Sequence, residues 1–215
     1  MTFQAPDMRH VNLPILFACD DFVVVEKPSG LLSIPGKIQV DCVIARVREI
    51  FPGATGSLMV HRLDMDTSGV MVVALRPEAQ RALHAQFEAR QVVKEYVGIC
   101  AGKLQGEGSV RLATRVDLEN RPVQIIDPVH GKIGETRWRA LAPCGENTRV
   151  AFEPLTGRTH QIRVHAALGL GHPLLGDRLY GDPNLAPRLL LHAHRIAFAD
   201  PASGKALQFE ACVPF

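Results

Sequence analysis

Apolar residues recur along this chain with two periods, near two and near 3.6, and the switches between them divide it into elements. After a polar, Pro-containing lead over residues 1–14, ILFACDDFVVVEKPSGLLSIPG sets the β-branched run Phe22 to Val25 against Pro-Ser-Gly and Pro-Gly punctuation. That pattern predicts strand, turn, short strand, loop. Val43, Ile44, Val47, Ile50 and Phe51 follow helical spacing up to Pro52-Gly53, which predicts a helix over 41–51. Val70 to Leu75 is a continuous apolar run that reads as a buried strand, and Pro77 then opens a helix whose Ala79, Ala82, Leu83 and Phe87 mark one face. VVKEYVGIC reads as a strand, and a connection containing Gly102, Gly106 and Gly108 leads into strand-like stretches at 109–116, 135–141 and 148–154. THQIRVHAAL, with Thr159 as N-cap, predicts a short helix ended by Gly169 and Gly171. Two last strands, in RLLLHAHRIAF and ALQFEACVPF, flank the Asp200 to Gly204 turn. Strands outnumber helices without strict alternation, so the expected fold class is α+β, a central, mainly antiparallel mixed sheet flanked by helices, rather than a parallel doubly wound sheet.

Composition narrows the function classes. The chain has 215 residues, 47% hydrophobic and 21% charged, with a mean hydropathy of +0.06, an ordinary globular balance. No apolar run approaches the ~18 residues of a spanning helix. Asp7 and Arg9 fall where a signal peptide would be apolar, so a cytoplasmic protein with no membrane partner is expected. Five scattered cysteines without a CxxC argue against a disulfide framework or a zinc knuckle and read as buried apolar filler. The net charge is only +2, yet Arg158 to Arg195 holds five Arg, five His and only two acids, Asp177 and Asp182. This is the segment expected to face a polyanion. GxGxxG, Walker and GxSxG patterns are absent, which removes dinucleotide, P-loop and serine-hydrolase chemistry.

Two polar clusters remain as candidate chemistry. HRLDMDTSG places His61, Arg62, Asp64 and Asp66 on a loop ahead of the buried strand, where catalytic groups tend to sit, although such acids also satisfy turn amides. GRTHQIRVH carries Arg158, His160, Arg163 and His165; in a helix begun at Thr159, His160 and Arg163 share a face and the first amides offer an anion site, and the plainer reading is a solvated basic face. His160 and His165 are five apart, off the spacing that puts two metal ligands on one face, so a metal-dependent hydrolase is a weak reading. Tyr96 and Tyr180, the only two tyrosines, read as core residues with satisfied hydroxyls.

Five ordered segments, EKPSGLLSIPG, HRLDMDTSG, KEYVGIC, LTGRTHQIRVHAALGLGHPLLGDRLYG and RLLLHAHRIAF, resemble the RluA family of pseudouridine synthases from about Ile15 to Phe215. The resemblance implies a single pseudouridine synthase catalytic domain over 15–215, without an S4 domain, whose helices and loops form an RNA-binding cleft. It implies Asp64 as the catalytic aspartate, Tyr96 as the residue packed on the target base, and Arg163 as the carboxylate's partner. His61, Arg62, Arg158, His160 and Arg195 are then expected to contact RNA, Arg62 by reaching into the space left by a flipped base. His194 and Arg195 make their segment more basic than the family pattern, and Arg195 is expected to face phosphate. The implied partner is RNA, 23S rRNA and/or a tRNA anticodon stem-loop, acted on by a monomer. Turning uridine into pseudouridine imports no group and changes no oxidation state, so neither a cofactor nor a metal is expected. A catalytically silent RNA-binding module on the same fold is the alternative; it has no need of the Asp64, Tyr96 and Arg163 trio.

Overall fold

A computed structural model describes residues 13–36 and 40–215, so the first twelve residues of the predicted 1–14 lead lie outside the described ones. The chain divides into two compact units, the first drawn from residues up to Val92 and from Arg195–Cys212, the second from Val93–His194 and Val213–Phe215.

In the first unit, β1 (Ile15–Ala18), β2 (Phe22–Lys27) and β3 (Ser68–Ala74) lie side by side in that order, antiparallel. Strand β2 pairs Phe22 with Ala74, Val24 with Val72 and Lys27 with Gly69. The period-two alternation sends Phe22, Val24, Val70, Val72 and Ala74 into one core cluster with Ala79, Leu83, Ile196 and Phe198. Val23, Val25 and Met71, on the opposite face, are fully buried too, which is why these strands read as unbroken apolar runs. Helix α1 (Val43–Ile50) falls inside the predicted span and is capped by Cys42, whose Sγ accepts from Ala45 N. Helix α2 (Pro77–Glu88) begins at the predicted proline and buries Ala79 and Leu83, one turn apart.

The second unit carries β4 (Val93–Cys100), β5 (Glu107–Val116), β6 (Gln124–Ile126), β7 (Lys132–Cys144) and β8 (Asn147–Pro154), ordered β4-β8-β7-β5-β6 with antiparallel pairings. Phe152, Val150, Cys100, Ile162, Ala166, Leu174, Leu189 and Leu191 form its core, against which Tyr96 and Trp138 pack. The mainly antiparallel α+β class and the β-rich middle therefore agree with the periodicity. Strand β9 (Leu191–Ala199) gives its first four residues to this unit and the rest to the first, where Arg195–Ala199 pair with β10 (Ala206–Glu210).

Four expectations are corrected. The helix at THQIRVHAAL is only four residues long, α3 (Gln161–Val164), followed by a wider turn over His165–Gly169 in which Leu170 N donates to His165 O. Thr159 is not its cap: His160 holds that position at φ 55° with no side-chain capping bond. The Gln161 amide instead donates to Arg158 O, and the Gln161 side chain ties the turn to β7 through Glu135 O and Thr136 Oγ1. A helix so short, with its first amide already bonded, offers no anion site. Its wide turn passes so close to β5 that a Cβ on Gly169 would lie 2.4 Å from Val110 Cγ1. Finally, only Cys42 and Cys100 are buried; Cys19 is half-buried, and Cys144 and Cys212 are exposed.

His165, 1% exposed, has neither ring nitrogen hydrogen-bonded. Burial pushes its pKa down from 6.5 to about 4. As pH falls, the unfolded chain takes up this proton before the folded one does, so the stability that comes from keeping the ring neutral is whole above the ordinary value and lost on the way down. Urea unfolding from about pH 7 to about pH 5 should show stability falling by up to ~1.4 kcal/mol per pH unit through this group. The His165→Leu curve should be flatter; parallel curves would assign the slope to other groups.

Candidate active site

The segment His61 to Thr67 has no regular structure, yet nearly every backbone carbonyl around Asp64 is tied down. Ser33 Oγ donates to Leu63 O at 2.7 Å and accepts from Leu63 N at 3.0 Å. Met65 O accepts from Gly30 N at 2.8 Å and from Lys27 Nζ at 2.8 Å. Ser29 Oγ donates to Asp66 O at 2.7 Å, and Thr67 N closes a turn on Asp64 O at 3.2 Å. The half-buried Asp64 is thus flanked on both sides by anchored residues. Apart from the Thr67 amide, the anchors come from KPSGLLS, which begins at the last residue of β2.

Lys27 is the least expected of them, being fully buried. It continues the inward face of Val23 and Val25, so β2 drives it into the interior. Its ammonium donates to Pro28 O, Leu31 O and Met65 O at 2.9, 2.7 and 2.8 Å, a match for its three donors. In the sequence this segment stands out only through the family resemblance, and nothing there gives Lys27, Ser29 or Ser33 a task. The available signal was a lysine in step with a buried face.

His61 is held by structure on two sides: Nε2 accepts from Val72 N at 3.1 Å, and the ring stacks on Phe87 with centroids 4.7 Å apart. Arg62 is exposed. Arg195, on β9 of the same unit, donates from Nη1 to Gln208 Oε1 at 3.3 Å.

In the second unit, Tyr96 lies on β4 opposite Phe152 and is half-buried against the core. Arg163 is buried in α3 and forks onto Asp177, Nε to Oδ2 at 2.8 Å and Nη2 to Oδ1 at 2.6 Å. Burial alone would raise the Asp177 pKa, but the Arg163 hydrogen bonds and charge, with the amides of Leu179 and Tyr180, outweigh it and hold the carboxyl below its ordinary value. The pair is ionised. Asp177 follows Gly176, which has φ 71° and would place a Cβ 2.0 Å from Arg188 O, so only glycine fits that turn. Arg163 also lies over the Tyr180 ring, 5.3 Å from its centroid. His160, 8% exposed, meets the Tyr180 hydroxyl through Nδ1 at 2.8 Å. Arg158 is exposed and donates from Nε to Ile133 O.

His61, Arg62 and Asp64 therefore share one loop of the first unit, which also contains Arg195. Tyr96, Arg158, His160 and Arg163 belong to the second, where His160 and Arg163 converge on Tyr180. Among the described residues no group of three or more His, Cys, Asp or Glu side chains is arranged to hold a metal ion, and no helix is long and apolar enough to cross a membrane.

Lys27→Met keeps the aliphatic stem and deletes the ammonium, leaving buried carbonyls short of a donor. Urea unfolding should show a loss of at least about 3 kcal/mol. Lys103→Met, at a side chain 72% exposed, should change stability by no more than ~0.5 kcal/mol. A Lys27→Met protein as stable as wild type would show that the carbonyls do not need this charge.

Comparison with known proteins adds a separate line of observation. Residues 21–168 match the family model for RNA pseudouridylate synthase. The chain is 45% identical over 210 residues to the dual-specificity RNA pseudouridine synthase RluA of Escherichia coli (strain K12), covering 94% of each. It is 43% identical over 206 residues to the protein of the same name from Haemophilus influenzae, covering 93% of this chain and 92% of that one. Human RNA pseudouridylate synthase domain containing 1 superposes with a TM-score of 0.80 at 30% identity, over 95% of this chain and 84% of the human one.

Proposed function

The chain belongs to the RNA pseudouridylate synthase family, and on that premise we propose that it isomerises particular uridines of structured RNA with Asp64 as its catalytic carboxylate. The observation that carries this reading is the clamp on the Asp64 loop, in which Lys27, Ser29, Gly30 and Ser33 tie the backbone on either side of one acid. A turn that needed only to be solvated would not require a buried ammonium. A reaction that depends on one carboxylate does require its backbone to be immobile.

Pseudouridine formation breaks the bond between ribose C1′ and N1 of uracil, turns the base, joins C1′ to C5 and transfers the C5 proton away. Asp64 serves either by adding covalently to base or sugar, or by stabilising and deprotonating a sugar intermediate. Arg163 is the positively charged partner that the family resemblance assigns to this carboxylate. Tyr96 covers the face of the uracil, and its phenol is a proton acceptor for C5. The C5 proton that leaves is matched by one taken up at N1 once its bond to C1′ is broken, so the balance closes without an oxidant, a reductant or an imported group.

The target base is flipped out of its stack, at a cost of a few kcal/mol that is smallest in a loop; Arg62 fills the vacated space. The exposed Arg158 and the half-buried Arg195 contact the RNA backbone, and His61 supports the Asp64 loop through its bond from Val72 N. The substrates in this reading are 23S rRNA and/or a tRNA anticodon stem-loop, acted on by residues 15–215 as a monomer in the cytoplasm. The relatives' name, a dual-specificity RNA pseudouridine synthase, supports the breadth of that substrate class.

Asp64→Asn should abolish pseudouridine formation while leaving stem-loop affinity within about threefold, because most of the binding energy comes from backbone contacts elsewhere. Arg195→Ala should do the reverse, reducing the slope of log K against log salt by roughly 0.7 to 0.9 with little change in single-turnover rate. Single-turnover kinetics and salt-titrated binding on both variants test the division. Turnover by Asp64→Asn within tenfold of wild type would remove Asp64 from catalysis, and an unchanged salt slope would remove Arg195 from the phosphate contacts.

A further inference from the structure

Arg163 is constrained in more ways than its ion pair requires. Asp177 grips one edge of the guanidinium through Nε and Nη2, and Cζ stands over the Tyr180 ring, 5.3 Å from its centroid. A planar fork gripped along an edge keeps a rotation about that edge, and an aromatic ring within cation–π reach of its centre restricts that rotation. Tyr180 is itself secured at three points. Its backbone N donates to Asp177 Oδ1 at 3.2 Å, so the carboxylate that holds Arg163 also holds the tyrosine. Its hydroxyl accepts from Gln124 N, the first residue of β6, at 2.8 Å, and meets His160 Nδ1 at 2.8 Å with the two rings nearly perpendicular at 74°.

His160 adds an independent observation. It adopts φ 55°, a left-handed conformation that costs a non-glycine residue on the order of 1–3 kcal/mol and persists only where the surroundings impose it. In that conformation the residue opens α3, its carbonyl accepts from Val164 N, and its buried ring reaches the Tyr180 hydroxyl. The strain is thus spent on a side chain turned toward Tyr180, and the ring is 8% exposed.

We propose that Tyr180, locked by His160 and by the Gln124 amide, is the positioning residue that sets the plane of the Arg163 guanidinium, and that His160 acts through Tyr180 rather than on RNA. This rests on the reading of Arg163 as a catalytic residue, and it replaces the expectation that His160 binds substrate. The hydroxyl also ties the start of β6 to the same array, so the end of the β5–β6 connection and the catalytic arginine are held by one phenol.

The test uses a tRNA anticodon stem-loop transcript carrying 5-tritiated uridine, with tritium release under single turnover at saturating enzyme and Kd from filter binding. Tyr180→Phe keeps the ring and removes the hydroxyl; it should slow release about tenfold with Kd within twofold. His160→Ala should do the same, and the double variant should be no slower than either, because both remove one linkage. His160→Asn, which tolerates the left-handed backbone and offers an amide to the phenol, should recover to within about threefold of wild type. A purely structural role would lower the melting temperature of these variants but leave the saturated rate well below melting untouched. A Tyr180→Phe rate within twofold of wild type overturns the proposal, as does a His160→Ala variant that binds tenfold more weakly but reacts at the wild-type rate. Arg163→Ala separates the two layers. If it keeps the wild-type rate, the catalytic reading of Arg163 fails; if it is inactive while Tyr180→Phe is unimpaired, only the positioning role fails.

Discussion

An ammonium with no exposed surface is stable only when each of its donors is matched, because the alternative is a bare charge in a medium that solvates it poorly. Lys27 meets that condition by donating to three backbone carbonyls, two within its own following turn and one, Met65, in the loop that carries Asp64. The constraint acts in both directions. The charge can be buried only if the Asp64 loop comes to it, and the loop can place its carbonyls inward only if a donor is there to receive them. Ser29, Gly30 and Ser33 then complete the docking with hydrogen bonds to Asp66, Met65 and Leu63. A segment without helix or strand is thereby held by hydrogen bonds along its backbone, which is what the role proposed for Asp64 asks of the loop that carries it.

The second unit solves a related problem with a full ion pair. Arg163 and Asp177 are 3% and 1% exposed at their side chains, where removing either partner would strand a charge. Their bidentate geometry and the two amides on Asp177 offset the desolvation, as the lowered pKa of Asp177 reflects. Such a pair is a poor source of net stability, since well-packed apolar residues would do as well. What it offers is orientation, and the Tyr180 ring and the strained His160 reinforce that orientation without adding charge. His165, two residues beyond Arg163, contrasts with it: buried without a partner, it stays neutral and fills space.

The alternation in FVVVEK and VMVVAL, the spacing in VIARVREI and the Pro77 start of α2 were legible because local periodicity and the buried face coincide there. Asp64 and Arg163 were legible as candidates because the motifs that contain them carry the family resemblance. By contrast, the spacing in THQIRVHAAL predicts a longer, Thr159-capped helix than the four-residue α3. Its start is decided by Gln161 reaching Glu135 and Thr136, some 25 residues away in sequence. The exposure of Cys144 and Cys212 likewise depends on where the β7–β8 turn and the chain end come to lie.

Legible before any folding were the α+β class, most of the strands and two of the three α-helices among the described residues, the family, and which acid, tyrosine and arginine merit attention. Those are properties of spacing and residue type within short windows, and short windows are what a linear chain displays. It takes the packed chain to show that Lys27 is an interior clamp, that Asp177 is the partner forked onto Arg163, and that His160 turns to Tyr180. Each of those depends on a hydrogen bond or ion pair between segments 14 to 38 residues apart. A buried polar group selects its partner by geometry after the apolar faces have packed, so no local pattern can announce it.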